Sequence, residues 1–310
     1  MSAYAMQLGK PLNLMCWLCA GLVASLTRCA LEPDSTAPQI PPEPPQPVFT
    51  IQNWPNDDAP LARIHVVTIP PNYLVEITIS EELKTVENFA TDTEALAVLN
   101  GGFFDPNNGQ TTSFITVAGS LVADPRENRR LMDNPDLAPY INQILNRSEF
   151  RRYDCGNDIS YDITVHNAPL PKGCVLHSAL GAGPQLLPEE TSQTEGFTDY
   201  ADGTLIRDAI GGHQRNARSA VGITPDGTLV WVMVAQTSPA AGMTLAELTE
   251  FMTTLNVQKA LNLDGGSSSS LYAAGLAKTN DEAQSYYGRL DPRGQTIQRP
   301  VKSVLLIANP

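Results

Sequence analysis

The stretches of this chain that can be buried are short, and nearly all have the length and residue choice of strands. Arg63-Ile64-His65-Val66-Val67-Thr68-Ile69 and Leu74-Val75-Glu76-Ile77-Thr78-Ile79 are β-branched runs split by Pro70-Pro71-Asn72, and read as two strands with a turn. Arg218 to Ile223 and Thr228 to Val234 flank Thr224-Pro225-Asp226-Gly227, and Asp-Gly between apolar runs is the strongest local hairpin signal. Ala95 to Leu99, Tyr161 to Val165, Ala260 to Leu263 and Val301 to Ile307 add further strands, and Leu180 to Leu187 is an apolar segment broken by glycine. One segment has clear helical spacing: Leu245, Leu248, Phe251, Met252 and Leu255 form an apolar stripe behind a Thr244/Glu247 capping box. Shorter helices are expected at Thr91 to Ala97 and around Leu137 to Asn146, the latter inside a polar excursion from Asp124 to Arg152. This irregular alternation excludes a doubly wound parallel fold. It predicts an α+β single domain with a mixed, largely antiparallel β-sheet core flanked by helices.

The folded part is expected to begin near Phe49. Ahead of it, Pro33, Pro38, Pro41, Pro42, Pro44, Pro45 and Pro47 make residues 30–48 an extended tether that cannot form a core element. Ahead of that, Lys10 precedes an apolar stretch from Leu12 to Leu26, shorter than a membrane span and suited to a signal peptide. Residues 1–29 are therefore read as an export leader, either cleaved near Ser25 or lipidated at Cys29 to give a membrane tether. Residues 49–310 are read as the folded domain. Cys16, Cys19 and Cys29 belong to or adjoin the leader, which leaves Cys155 and Cys174 as an even pair. In an oxidising compartment they read as a disulfide, and otherwise as two buried thiols. A net charge of −13 makes nucleic acid an improbable partner, because phosphate neutralisation needs a basic face. An anionic ligand would need a local basic cluster inside an acidic shell.

Two segments share one design. Asn100-Gly101-Gly102 and Asp264-Gly265-Gly266 each place an amide or carboxylate at the end of an apolar strand, followed by residues free to take any backbone angle. Successive free N–H groups in such turns form an anion-binding concavity, and Ser267 to Ser270 add hydroxyl donors after the second. Each Gly-Gly alone also fits a plain turn. Arg215 and Arg218 precede a strand, and arginine grips phosphate or carboxylate with two parallel hydrogen bonds; a solvated surface turn is the plainer reading. His213, in the same stretch, is a candidate acid, base or ligand. No Gly-x-Ser-x-Gly, Walker loop or His-Glu-x-x-His is present. Asp264 and Asp291 do not complete a legible ligand cluster, so neither a metal nor any other cofactor is assigned.

Taken in order, Asn100-Gly101-Gly102-Phe103-Phe104, Gly181-Ala182-Gly183-Pro184-Gln185-Leu186, Arg215 to Gly222, Gly242 to Leu248 and Leu261 to Ser267 resemble the phosphodiester glycosidase family, and Arg299-Pro300-Val301 also fits. The resemblance covers roughly residues 60 to 308. It departs at the serine run after Gly266, where the family often has another glycine, and in the excursion carrying the cysteine pair. It implies cleavage of a sugar-1-phosphodiester at the glycosidic carbon, with Asn100, Arg218 and Asp264 in the active site, shaped by Gly101, Gly102, Gly265, Gly266 and Ser267. Arg215 and His213 are expected to join substrate binding. The expected substrate is a sugar-phosphate or phosphoglycan, with Arg218 as phosphate grip and Asp264 as catalytic carboxylate. The competing readings are a non-catalytic cell-surface glycan binder, and a phosphodiesterase that cuts the P–O bond.

Overall fold

The computed structural model describes residues 44–276 and 283–308. The leader, its cysteines and most of the proline-rich tether lie outside the described residues. From the first described strand the chain runs β1 (Val48–Trp54), β2 (Ala62–Ile69), β3 (Val75–Lys84), α1 (Val86–Thr93) and β4 (Ala97–Asn100). The excursion holds β5 (Ile115–Val117), β6 (Ser120–Ala123), α2 (Arg129–Met132), α3 (Ile141–Ile144), β7 (Ser148–Cys155) and β8 (Asp158–Val165). Then come β9 (Val175–Gly181), β10 (Gln185–Leu187), β11 (Thr198–Ala201), β12 (Thr204–Asp208), β13 (Arg218–Ile223) and β14 (Leu229–Gln236). The chain closes with α4 (Leu245–Thr254), β15 (Lys259–Asn262), β16 (Ser270–Ala273), β17 (Gln284–Tyr287) and β18 (Val301–Ile307).

Three sheets enclose one apolar core. The first has the order β1-β2-β14-β13-β15-β10, the second β17-β16-β4-β18-β3 and the third β6-β5-β9-β7-β8, while β11 and β12 stand apart as a hairpin. Val67, Trp231 and Leu261 of the first sheet, Leu99, Leu271 and Leu305 of the second, and Phe150 and Leu180 of the third meet in a single buried cluster. The opposite faces of two sheets are also covered. Leu245, Leu248, Phe251 and Met252 of α4 pack on Val66, Ala220 and Val232 of the first sheet, and Val86, Phe89 and Ala90 of α1 pack on Val98, Val304 and Leu306 of the second. Strands buried on both faces read as unbroken apolar runs, which is why β4, β14 and β18 lack polar alternation. Each large side chain so buried contributes about 1.5–3 kcal/mol.

The α+β class holds, with corrections in detail. Every strand pairing among the described residues is antiparallel, and the core is divided among three sheets. The runs on either side of Pro70-Pro71 are two strands joined by a turn, as expected, and they enter different sheets: β2 pairs with β1 and β14, and β3 pairs with β18 in the second sheet. The helix expected at Thr91 to Ala97 lies earlier. Thr85 caps it by accepting from the Asn88 amide, and Glu94 ends it in a left-handed conformation. Strand β7 shows no apolar run because, while Phe150 packs in the core, its opposite face is buried around an ion pair, Arg151 on Glu149 at 2.7 Å. The 224–228 hairpin and α4 with its Thr244/Glu247 capping box form as expected. Cys155 and Cys174 are joined in a disulfide across neighbouring strands, next to the Asp154/Val175 pair. Closing a loop of that length contributes about 3 kcal/mol by chain entropy.

Candidate active site

The two Gly-Gly turns come together although they end strands of different sheets. Asn100 closes β4 in the second sheet; Asp264 follows β15 in the first. The Asp264 amide donates to the Gly101 carbonyl at 3.1 Å, and Asn100 Nδ2 donates to the Asp264 carbonyl at 2.7 Å. Asn100 Oδ1 accepts from Ser219 Oγ at 2.6 Å and from the Ser270 amide at 3.1 Å. The Asn100 side chain is 0% exposed, and its strong hydrogen bonds are all spent inside the protein. It pins β4, β13 and the start of β16 to the Asp264 turn rather than facing a ligand.

The first turn provides no anion-binding amides. Gly101 N–H donates to the Ser303 carbonyl at 2.8 Å and Gly102 N–H to Ser303 Oγ at 3.2 Å. These glycines serve close approach: a Cβ on Gly101 would stand 2.5 Å from Ser303 Oγ, and one on Gly102 would overlap the Gly181 carbonyl oxygen.

The second turn does open onto a pocket. A cavity of about 240 Å³ is lined by Phe103, Ile210, Asn216, Arg218, Asn262, Asp264, Gly265 and Gly266. Gly266 takes a φ of +60°, which favours glycine, and its amide donates to the Ala217 carbonyl at 2.8 Å. Burial pushes the Asp264 carboxyl up to about 6, and the Ser268 hydroxyl, the Arg299 charge and the Gly265 amide pull part of that rise back. Among the lining residues Asp264 is the sole acid.

Arg218 lies on the pocket wall but is 2% exposed. Its Nε donates to the Met243 carbonyl at 3.1 Å and its Nη1 to Ile210 at 3.1 Å, while its Nη2 donates to Gly211 at 2.5 Å and Gln214 at 2.8 Å. A guanidinium carries five N–H bonds, so these four carbonyls leave one, on Nη1. Burial lowers its pKa to about 10, with Asp208 opposing and Arg289 adding to the fall, so it stays charged at neutral pH. The Asp208 carboxylate accepts from the Gly212 and His213 amides at 2.7 and 3.2 Å, so the loop from Asp208 to Asn216 is folded around the Arg218 head group.

Two sequence candidates lie elsewhere. Arg215 is exposed and paired with Glu247 at 2.5 Å, the same Glu247 that caps α4. His213 is exposed, with Nε2 3.1 Å from the Tyr200 hydroxyl, and lines a separate cavity with Thr198, Tyr200 and Leu245. Ser267 accepts from Arg299 Nη1 at 2.7 Å and so holds that arginine beside the Asp264 turn.

Residues not singled out from sequence complete the site. Arg299 lies over the Phe104 ring at 5.3 Å, and Arg289 Nη1 donates to Asn216 Oδ1. Neither makes an ion pair among the described residues. Asn262 donates Nδ2 to the Gly183 carbonyl at 2.8 Å, while its buried Oδ1 has no partner. Its signal was present: a polar residue inside an apolar strand, two positions before Asp264 and so on the same face. Arg299 lay within the Arg299-Pro300-Val301 segment, but Arg289 carried no local signal. No cluster of three or more His, Cys, Asp or Glu side chains that could hold a metal occurs among the described residues.

A sequence model of the phosphodiester glycosidase family matches residues 93–308. The chain belongs to that family. Family membership and fold together support a glycosidase-type function. The fold is similar to the zebrafish N-acetylglucosamine-1-phosphodiester alpha-N-acetylglucosaminidase catalytic domain, solved auto-inhibited by its pro-peptide, at 19% identity and a TM-score of 0.60 over 86% of this chain and 83% of that one. It is also similar to a putative exported protein from Burkholderia pseudomallei (15% identity, TM-score 0.55, 80% of this chain and 74% of that one). A hypothetical protein from Synechocystis is a third likeness (15% identity, TM-score 0.54, 85% of this chain and 62% of that one). At these identities the structural likenesses speak for the fold alone. No curated protein matches the sequence. Arg218 and residues 264–266 line the Asp264 pocket, and Asn100 braces it from behind through the Asp264 carbonyl.

Proposed function

We propose that the Asp264 pocket hydrolyses the glycosidic bond of a sugar-1-phosphodiester. The observation that carries this reading is one desolvated carboxylate that shares its pocket with Arg218 and feels the charge of Arg299, with Arg289 next to Arg218; none of the three arginines makes an ion pair among the described residues. Most glycosidases need two carboxyl groups, one to protonate a departing alkoxide. A phosphorylated anomeric oxygen departs as a stable anion, so a cationic surround replaces the acid. A carboxyl that titrates near 6 is ionised at neutral pH and suited to meet positive charge at the anomeric carbon, as nucleophile, as base toward water, or by charge alone. Arg299 and Arg289 share the phosphate grip with the one free N–H of Arg218. Phe103 offers a ring face to the sugar, and Asn262 Oδ1 an acceptor for a sugar hydroxyl. Asn100 and the Gly101-Gly102 pair hold the Asp264 turn in place.

The disulfide and the leader-like residues 1–29 support export. The substrate class is then a glycan or cell-envelope phosphoglycan outside the cytoplasm. A panel of sugar-1-phosphodiesters assayed with wild type, Asp264→Asn and Arg299→Ala tests the reading. Turnover by wild type, abolished in the first variant and cut roughly 10²-fold or more in the second, is the expected result. Wild-type rates in both variants would discard it. Hydrolysis in ¹⁸O water places label on the sugar for C–O cleavage; label on phosphate would replace this reading with a phosphodiesterase.

A further inference from the structure

Arg218 is a charge that the fold almost seals in, and it forms no ion pair among the described residues. Burying a cation is costly unless its donors are met and a countercharge stands near. Three of the four carbonyls that meet its donors, those of Ile210, Gly211 and Gln214, belong to the loop between β12 and β13. The countercharge is Asp208, which opposes the effect of burial on the guanidinium while Arg289 adds to it. Asp208 ends β12 and also shapes the loop that follows. Its Oδ1 accepts from the Gly212 amide at 2.7 Å and its Oδ2 from the His213 amide at 3.2 Å, so both oxygens are committed to backbone further along the loop. Between Asp208 and those amides the chain turns through Gly211, at a φ of +59°, and the Gly211 carbonyl meets Arg218 Nη2. The rest of the loop is anchored on the start of α4: Asn216 and Met243 exchange backbone hydrogen bonds at 3.1 and 2.9 Å, and the Leu245 amide donates to the Gly212 carbonyl at 2.9 Å. Held this way, Arg218 Nη1, the nitrogen with the free N–H, stands 3.9 Å from the place a Cβ of Gly265 would occupy, beside the turn that carries Asp264.

On the reading that the Asp264 pocket cleaves a sugar-1-phosphodiester, we propose that Asp208 is a positioning residue for the phosphate grip: it holds the 208–216 loop in the shape that presents the free N–H of Arg218 to the pocket. Asp208 itself is not among the residues that line that pocket, so it acts through Arg218. Breaking the glycosidic C–O bond turns a singly charged phosphodiester into a doubly charged phosphomonoester, with the bonding electron pair leaving on the phosphate oxygen. Negative charge therefore grows on the departing group in the transition state, and a donor aimed at it stabilises that state more than the bound substrate. Displacing the donor lowers kcat and leaves KM in place. Removing the Asp208 charge also makes the surroundings of the pocket more positive, which favours binding of the anionic substrate. A residue that served only to stabilise the fold would give no such split between kcat and KM.

The test measures kcat and KM of the full-length protein, wild type and Asp208→Asn, on the panel of sugar-1-phosphodiesters, with circular dichroism to check the fold. Asp208→Asn should lower kcat roughly tenfold or more, with KM unchanged or lower, since a small misplacement of a catalytic donor is enough to slow the chemistry. A kcat equal to wild type, or a KM that rises while kcat holds, overturns the role. If Asp208→Asn does not fold, Asp208→Glu takes its place; it keeps the charge on a chain one methylene longer, and a wild-type kcat in it overturns the role equally. The guanidinium ¹⁵N signals of Arg218, assigned with Arg218→Lys, read the same geometry without turnover. Inorganic phosphate should move the Arg218 signal in wild type and move it less in the Asp208 variant. An equal movement in both, or none in wild type, also overturns the role. A wild type that answers phosphate in this way and turns over none of the diesters discards the proposed reaction, and leaves Asp208 as the residue that aims Arg218 at an oxyanion.

Discussion

Asn100-Gly101-Gly102 and Asp264-Gly265-Gly266 look alike in sequence, and the fold uses them in opposite ways. At the first, every polar group turns inward: the Asn100 amide ties three strands, both glycine amides go to Ser303, and neither glycine has room for a methyl group. At the second, a carboxylate is left in a pocket at the cost of its own desolvation. A strand end followed by two glycines is thus a way to bring backbones close. Whether the site is structural or chemical depends on where the side chain's hydrogen bonds go. The first turn is the mould for the second.

The largest effect should come from crowding the mould. Gly102→Ala drives a methyl group into the Gly181 carbonyl and should cost about 3 kcal/mol or more, leaving little folded protein. Gly265→Ala meets nothing nearer than the Ala217 carbonyl at 3.2 Å and should fold. Equal melting temperatures for the two variants would erase the distinction drawn between the turns. Next is Asn100→Ala, which strands the Ser219 hydroxyl and the Ser270 amide in a dry interior. A loss of about 2–4 kcal/mol in denaturant unfolding is expected, with activity falling only as the Asp264 turn loosens.

Asp264→Asn should move stability the other way. The folded carboxyl, at about 6, lies above its ordinary 3.8, so the folded state binds the proton more tightly. Stability is then full below about 3.8, is lost as pH rises to about 6, and stays reduced above it. Removing the carboxylate should recover up to about 3 kcal/mol at pH 7 and nothing near pH 4, while turnover disappears. The same titration predicts that wild-type kcat/KM falls tenfold per pH unit below about 6, because the proposed roles all need the ionised form. A variant less stable than wild type at pH 7, or a rate flat down to pH 5, would contradict the desolvated carboxylate. The smallest effect is reserved for Arg215→Ala, which removes only an exposed ion pair at the start of α4. Its kcat/KM should match wild type, and a drop beyond tenfold would return Arg215 to the substrate.

Much of this was legible in the sequence because it is local. The Asp226-Gly227 hairpin and the Thr244 capping box each declare themselves within a few residues, and the motif order carries the family. Charged pairing hid β7, where Glu149 and Arg151 replace apolar neighbours. The shift of α1 turned on Glu94 adopting a left-handed backbone, which composition does not announce. The division of labour between the turns could not be read at all. Asn100 looks available until Ser219 and Ser270 are seen to claim it from far along the chain, and Arg218 looks like a free cation until four carbonyls are counted around it.

The distance along the chain between Asn100 and its partners also sets a clock. During synthesis the strand bearing Asn100 leaves the ribosome well before Ser219, and Asp264 and Ser270 follow later still. Until then the asparagine has nothing to hold and the carboxylate has no wall to lie against. A nascent chain, or one kept extended for passage across a membrane, carries every residue of the site and none of its geometry. The Asp264 pocket exists only once the last third of the polypeptide has closed over the first.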